Sequence, residues 1–208
     1  MDKFELSISP ELQGKFELKE VNLVFVFQVN CPGCFMYGIP IVNRLYRAFL
    51  DKVGFIGIST AFEDFDFNTA AATKLLLEKG ETVGETRRYL DQAGQQTYSD
   101  IPQFPVAFDT LLPINSALEK VLDNVYKTHK NLDQGDVSYR NQLISRLESY
   151  YKSMPFIAQT FTMNQLKGTP SFIVFDADYT IIDESFGHIG QEKLENVIKE
   201  QLKMIVSN

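Results

Sequence analysis

The sequence predicts an α/β fold in which a central mixed sheet is flanked by helices and a helical hairpin is inserted. Three observations carry that reading. An apolar run, Val21 to Val29, leads through Cys31-Pro32-Gly33-Cys34 into a helical pattern and then into a second apolar run, Val53 to Ser59. Near the end, two strand-like runs flank the turn Ala177-Asp178, and an amphipathic helix follows them. Between these halves, residues 112 to 154 repeat apolar side chains at helical spacing rather than alternating them.

Each element has its own signal. Phe4 to Ile8 and Phe16 to Leu18 alternate apolar with polar residues, as half-buried strands do. Val21 to Val29 is rich in β-branched and aromatic residues and predicts a buried strand. Ile41, Val42, Leu45, Tyr46 and Phe49 mark one face of a helix over Ile39 to Leu50. With the strand at Val53 to Ser59 this makes a βαβ unit. Asn68 or Thr69 caps a helix over Ala70 to Glu78 that Gly80 stops, and a short helix is expected at Glu85 to Ala93. Residues 104 to 109 predict a short strand. Ile114, Ala117, Leu118, Val121, Leu122, Val125 and Tyr126 form one helical face and Val137, Leu143, Ile144, Leu147, Tyr150 and Tyr151 another, joined by a polar link containing Gly135. After Gly168-Thr169-Pro170 come the strand Ser171 to Asp176, a turn, and the strand Tyr179 to Asp183. A last helix starting at Gly190 carries Leu194, Val197, Ile198, Leu202 and Ile205 on its apolar face.

Composition bounds the function. The chain has 208 residues, 44% of them hydrophobic, enough for one well-formed core, so residues 1–208 are expected to make one domain with 113–154 inserted in it. The 27 acidic and 20 basic residues give a net charge of −7, which argues against a nucleic-acid or anionic-membrane binder. The N-terminal residues lack a basic region followed by a long apolar core, and no window approaches a membrane span. A cytoplasmic location is the default expectation, and there a dithiol is held mostly reduced unless catalysis cycles it.

The only two cysteines stand at a predicted strand-to-helix turn. Proline suits the first helical position, so Pro32 suggests that Cys31 is the N-cap, where unpaired amides and the helix dipole favour a thiolate. Cys34 follows one turn later, within reach of a mixed disulfide formed at Cys31. These positions assign Cys31 as nucleophile and Cys34 as resolving thiol. Such a pair is also half of a zinc site, but the only histidines, His129 and His188, show no ligand spacing, so no metal is expected. A structural disulfide closing so short a loop constrains the unfolded chain little.

A dithiol after the first buried strand, Thr169-Pro170 before a later hairpin and a closing helix together resemble the thioredoxin fold. The nearest likeness is to redoxin-domain proteins of the alkyl hydroperoxide reductase/thiol-specific antioxidant and TlpA-like group, through Phe27 to Pro40, Gly57 to Asp64, Phe104 to Asp109 and Gly168 to Asp176. One branch of that group has a similar Cys-Pro-Gly-Cys with a proline where Pro40 stands, and a similar Phe-Glu, here Phe62-Glu63. The resemblance implies a cis Pro170 facing the cysteines, and a substrate surface made by Thr169, Pro170, Pro32 and Gly33. Thioredoxins usually carry a tryptophan just before the first cysteine and a buried acid six residues before it; Asn30 and Phe25 occupy those places. Glu63, past the end of the Val53 to Ser59 strand, is then the candidate proton carrier. The residues by which peroxiredoxins activate their cysteine are replaced, Gln28 and Val24 standing there relative to Cys31.

The resulting expectation is a thiol-disulfide oxidoreductase acting on protein or small-molecule disulfides, without metal or bound cofactor, and exchanging electrons with a separate donor or acceptor. The alternative is a redox-sensing, partner-binding module with little turnover, in which the dithiol controls docking by the hairpin. A glutathione-linked enzyme is weaker, because the paired-glycine and acid signature after Thr169-Pro170 is missing; Asp176 and Gly187 do not reproduce its spacing.

Overall fold

The structure, a computed structural model, describes residues 2–128 and 137–207. The link containing Gly135 and the histidine at 129 lie outside the described residues, as do the side chains at 126, 137 and 143. Strand β1 (Ile8–Gln13) precedes β2 (Val21–Phe27), and a π-helical turn (Cys34–Gly38) runs directly into α1 (Ile39–Phe49). Then come β3 (Gly54–Ser59), α2 (Ala70–Lys79), α3 (Gly84–Gln92) and β4 (Val106–Asp109). The excursion that follows comprises β5 (Leu111–Pro113), α4 (Ile114–Thr128), α5 (Val137–Lys152), β6 (Phe156–Ala158) and α6 (Gln159–Met163). The hairpin β7 (Ser171–Asp176) and β8 (Ile181–Phe186) leads into α7 (Gln191–Ser207).

The six-stranded sheet has the order β1-β4-β3-β2-β7-β8. Strand β3 runs parallel to β2 and to β4, whereas β7 pairs antiparallel with β2 and β8. Every residue of β2 is buried, which fits its central place between β3 and β7. Its alternation divides the core. Leu23, Phe25 and Phe27 join Leu45 of α1, Leu76 of α2 and Leu194 and Ile198 of α7 on one face, while Val24 and Val26 join Phe4, Ile58, Phe175 and Leu166 on the other. Side chains of this size each contribute about 1.5–3 kcal/mol when fully buried, so both faces are needed to hold β2.

The mixed sheet, the βαβ unit and the cap of α2 agree with the sequence. Thr69 is that cap, its side chain accepting from the Ala72 amide, and Gly80 closes the helix at φ 68°. Two expectations need correction. Neither Phe4 to Ile8 as a whole nor Phe16 to Leu18 forms the expected strand; the edge strand is Ile8–Gln13 and includes a cis Ser9–Pro10 bond. Of Phe4, Leu6 and Ile8 only Ile8 has a ladder partner, Asp109; the amides of Glu5 and Ser7 donate instead to the side chains of Asn164 and Thr160, so the alternation before Ile8 reports burial. The second hairpin strand starts at Ile181 rather than Tyr179. Tyr179 has φ 62°, and the Asp176 carboxylate organises the turn by accepting from the amides of Asp178 and Thr180.

The π-turn answers a problem set by Pro40. A proline inside an α-helix has no N–H to donate and crowds the carbonyl four residues back. Here the Ile39 amide reaches the Cys34 carbonyl five residues back, widening the turn. In that register the Phe35 carbonyl faces the missing N–H of Pro40. Tyr98 supplies the donor, its hydroxyl lying 2.8 Å from the Phe35 oxygen and its ring packing edge-on against Phe35 at 4.8 Å. Gly38 is also required by proximity, because a Cβ there would stand 2.5 Å from the Phe25 ring.

Candidate active site

Strand β2 ends at Phe27, and the chain turns through Gln28 to Asn30 into the two cysteines at the carboxyl ends of β2, β3 and β4. The Cys34 amide donates to the Cys31 carbonyl at 2.9 Å, which makes the first turn of the helix. Both cysteines are free thiols, with their sulfurs 2.7 Å apart. Cys31 is partly exposed and Cys34 fully buried.

That difference separates their chemistry. The thiol of Cys34 donates to the Cys31 sulfur, and this is the largest influence on Cys31. Burial opposes it, but contacts from Thr169 and from the amides of Cys34 and Gly33 add to it, bringing Cys31 from 9.0 down to about 6. Burial pushes Cys34 well above the ordinary thiol range, and the neighbouring Cys31 sulfur raises it further. At neutral pH the pair is therefore one partly exposed thiolate beside one buried thiol. Alkylation of Cys31 by iodoacetamide is expected to rise through a single titration near pH 6 and to be nearly level above pH 8. A midpoint in the range of ordinary thiols would contradict this environment.

Opposite the dithiol, the Thr169–Pro170 peptide bond is cis. The Thr169 carbonyl lies 3.6 Å from the Cys31 sulfur, and a Cβ on Gly33 would stand 3.9 Å from the Pro170 ring. Pro32, Gly33, Thr169 and Pro170 thus come together around the exposed sulfur. The Gly187 amide donates to the Pro170 carbonyl at 2.8 Å, and beside it the His188 ring stacks on Tyr37 at 4.2 Å. Among the described residues no three His, Cys, Asp or Glu side chains are grouped to hold a metal.

Glu63 lies on the loop after β3, as expected, but its carboxylate is exposed. Partial burial and the neighbouring Asp64 raise its pKa. What Glu63 brings to the interior is its carbonyl, which accepts from Asn68 at 2.9 Å and from Gln28 at 3.4 Å. Asn68 in turn accepts from the Asn30 amide, while the Asn30 side chain donates to Asp64 and accepts from the Glu85 amide at the start of α3. Gln28, 3% exposed, is the polar residue that sequence reasoning passed over. Its interruption of an apolar run was the available signal. Its oxygen accepts from the Thr169 hydroxyl at 3.2 Å.

No protein-family model matches the chain, and a search of the curated proteins finds no match. Solved structures do resemble it. A thiol-disulfide isomerase from Corynebacterium glutamicum superposes with a TM-score of 0.59 at 22% identity, covering 97% of this chain and 96% of that one. A thioredoxin-like superfamily protein gives 0.55 at 21% identity, covering 96% of each chain. With the mixed sheet, the dithiol at the carboxyl end of β2 and the helices around them, these likenesses establish that the chain has a thioredoxin-like fold.

Proposed function

We propose that the protein is a thiol-disulfide oxidoreductase working through Cys31 and Cys34. The observation that carries this reading is the unequal pair itself, a partly exposed cysteine with a lowered pKa beside a buried one with a raised pKa. In the reductive direction the Cys31 thiolate attacks one sulfur of a substrate disulfide and expels the other as a thiolate. A mixed disulfide then joins Cys31 to the substrate. Cys34 loses its proton and attacks the Cys31 sulfur, forming the Cys31–Cys34 disulfide and releasing the second substrate thiolate, which takes up a proton. The reverse sequence oxidises a substrate dithiol. Thr169 and Pro170, with Pro32 and Gly33, form the surface on which a substrate chain lies, and Glu63 is an exposed acid at its margin. The substrate is a disulfide-bearing protein or small thiol compound, and a separate donor or acceptor resets the pair. The name of the Corynebacterium protein, a thiol-disulfide isomerase, supports this class of chemistry.

The test is to equilibrate the protein against graded dithiol buffers, trap free thiols and count them by mass. One two-electron transition confined to Cys31 and Cys34 is expected, at a potential within the roughly −270 to −120 mV spanned by such proteins. A lowered Cys31 pKa stabilises the reduced form and moves the value toward the oxidising end. Failure to form an intramolecular disulfide at any poise would sink the reading.

A further inference from the structure

The excursion and the loop after β3 enclose a cavity of about 310 Å³. Phe62 on the loop, Tyr150 and Tyr151 on α5, Phe156 on β6, Phe161 on α6 and Leu166 line it. Phe62 lies flat on Phe161, the ring centroids 3.9 Å apart and the planes 5° from parallel, and Phe65 meets Phe156 edge-on at 4.8 Å. These contacts tie the loop to the excursion. A volume of this size is at the small end of ligand sites, ample for one large apolar side chain and tight for a cofactor. Two of the walls run on to the dithiol. The Glu63 carbonyl, one residue after Phe62, accepts from Gln28 at 3.4 Å, and the Gln28 oxygen accepts from Thr169 at 3.2 Å. Leu166 stands three residues before Thr169, whose carbonyl lies 3.6 Å from the Cys31 sulfur. The segments between cavity and cysteines, 62–67 and 166–170, carry Glu63, Asp64 and Asp66 against one cation, Lys167. Among the described residues these three acids form no ion pair with a lysine or arginine. On α5 the charges of Glu148 and Lys152 are paired at 3.0 Å, and β6 and α6 carry none.

We propose that this cavity is a substrate subsite: it receives a tryptophan or phenylalanine side chain from the segment that carries the substrate's disulfide, with a neighbouring lysine or arginine facing the acids of the loop. The assignment rests on the exchange chemistry proposed above and narrows its substrate to proteins whose cysteine lies in an apolar, basic segment. An aromatic ring suits walls that are themselves aromatic, because it finds both faces and edges to pack on. A cation beside Glu63 relieves the repulsion between that carboxylate and Asp64, which adds to burial in raising the Glu63 pKa. The excursion supplies most of the cavity wall, which gives the chain inserted after β4 a part in choosing substrates rather than in the sulfur chemistry.

The probes are short peptides whose single cysteine is held as a mixed disulfide with thiopyridine, and which carry Trp and Lys, Ser and Lys, or Trp and Glu. The Trp is moved along the peptide on both sides of the cysteine, and the fastest placement is carried forward. The Cys31 thiolate attacks the peptide sulfur and expels thiopyridine, which takes up a proton and is read by its absorbance; Cys34 then expels the peptide thiol. Reduced protein in excess is mixed with each probe in a stopped-flow instrument, and dithiodipyridine, small and uncharged, reads the dithiol alone. Rates are compared as ratios between peptides within one protein, so a change in Cys31 itself cancels. In the wild-type protein the Trp-Lys peptide is expected to react about tenfold faster than Ser-Lys. It should exceed Trp-Glu by about threefold. Thr162→Phe, which fills the cavity from α6, should bring the first ratio below about twofold, and Tyr150→Ala, which removes one wall, should bring it to about threefold. Glu63→Lys should abolish the second preference. Either wild-type ratio near one, a first ratio unchanged in both wall variants, or a second ratio unchanged in Glu63→Lys overturns the assignment. If Thr162→Phe does not fold, Tyr150→Ala decides, since Tyr150 is 55% exposed. A protein that sediments as a dimer, and as a monomer in Tyr150→Ala, places a second copy in the cavity and overturns it too. Absence of thiopyridine release from dithiodipyridine would instead overturn the exchange reading, and this assignment with it.

Discussion

Replacing Cys34 with alanine is expected to halt the reaction at the mixed disulfide and, at the same time, to weaken the nucleophile. Two consequences of one contact are involved. In the proposed exchange the Cys34 thiol is the intramolecular attacker, its sulfur lying 2.7 Å from that of Cys31. A positioned intramolecular group has an effective concentration of about 10⁵ M or more, so external thiols at ordinary concentrations do not replace it. Turnover of a disulfide substrate should fall roughly a thousandfold or more. The same thiol is also the largest influence lowering Cys31 from 9.0 to about 6, so in Cys34→Ala the Cys31 titration should move up toward the ordinary thiol range. Mass spectrometry after one equivalent of substrate reads the first effect as a stable adduct on Cys31. The pH profile of iodoacetamide labelling reads the second. Cys31→Ser should form no adduct at all. A Cys34→Ala protein that turned over normally would remove Cys34 from the resolving role.

Asp109→Asn is expected to destabilise the fold by about 2 kcal/mol, although asparagine has nearly the same shape. Asp109 ends β4, is fully buried, and uses both carboxylate oxygens as acceptors. One accepts from the Thr160 amide at 2.7 Å. The other accepts from the Phe161 amide at 3.0 Å and the Thr60 hydroxyl at 2.9 Å. An asparagine offers only one oxygen. Its NH₂ can face the Thr60 hydroxyl, which is able to turn and accept, but it meets the Phe161 amide donor to donor, leaving that N–H unpaired. Burial raises the Asp109 pKa from 3.8 to about 6 against these bonds. The folded state therefore holds this proton more tightly than the unfolded chain. Stability contributed by the protonated carboxyl is complete below about pH 4 and is lost as pH rises toward about 6, after which it is constant. The change is on the order of 3 kcal/mol. Urea unfolding at pH 4.5 and 7.5 should show this decline in the wild-type protein and a smaller one in Asp109→Asn. Equal stabilities and equal pH slopes would contradict the role of the carboxylate in tying β4 to α6.

The legible parts of the molecule were those whose cause lies within a few residues. The Thr69 cap, the stop at Gly80 and the paired cysteines each depend on a short segment, and the apolar run of β2 is apolar because the strand is buried on both faces. Thr169 and Pro170 entered through a resemblance, and the cis bond is present where it implied one. The partners of Gln28 and Asp109 lie dozens of residues away in sequence, in the loop after β3 and at the start of α6. A lone buried Gln or Asp in an apolar stretch carries no local sign of what will satisfy it. Tyr98 is similar, since its task is created by Pro40 and the register of a turn far from it in the chain. Phe4 to Ile8 shows the converse error. A period of two marks which side chains face inward, but it does not establish that the backbone finds a strand partner.

The short pairing of β5 with β6 closes the excursion at its base. Leu111 stands opposite Ala158, so the chain leaves the sheet after β4 and returns to it through neighbouring positions. The two ends of the excursion are thus fastened beside each other before α4 begins and after α5 ends. Between them α4 packs Ile114, Ala117 and Val121 against Ile157 and Met163, so the excursion has a small core of its own at its base. The two-stranded clasp thus joins the excursion to the sheet at one place, beside the end of β4, and the cysteines stand on a different strand, after β2.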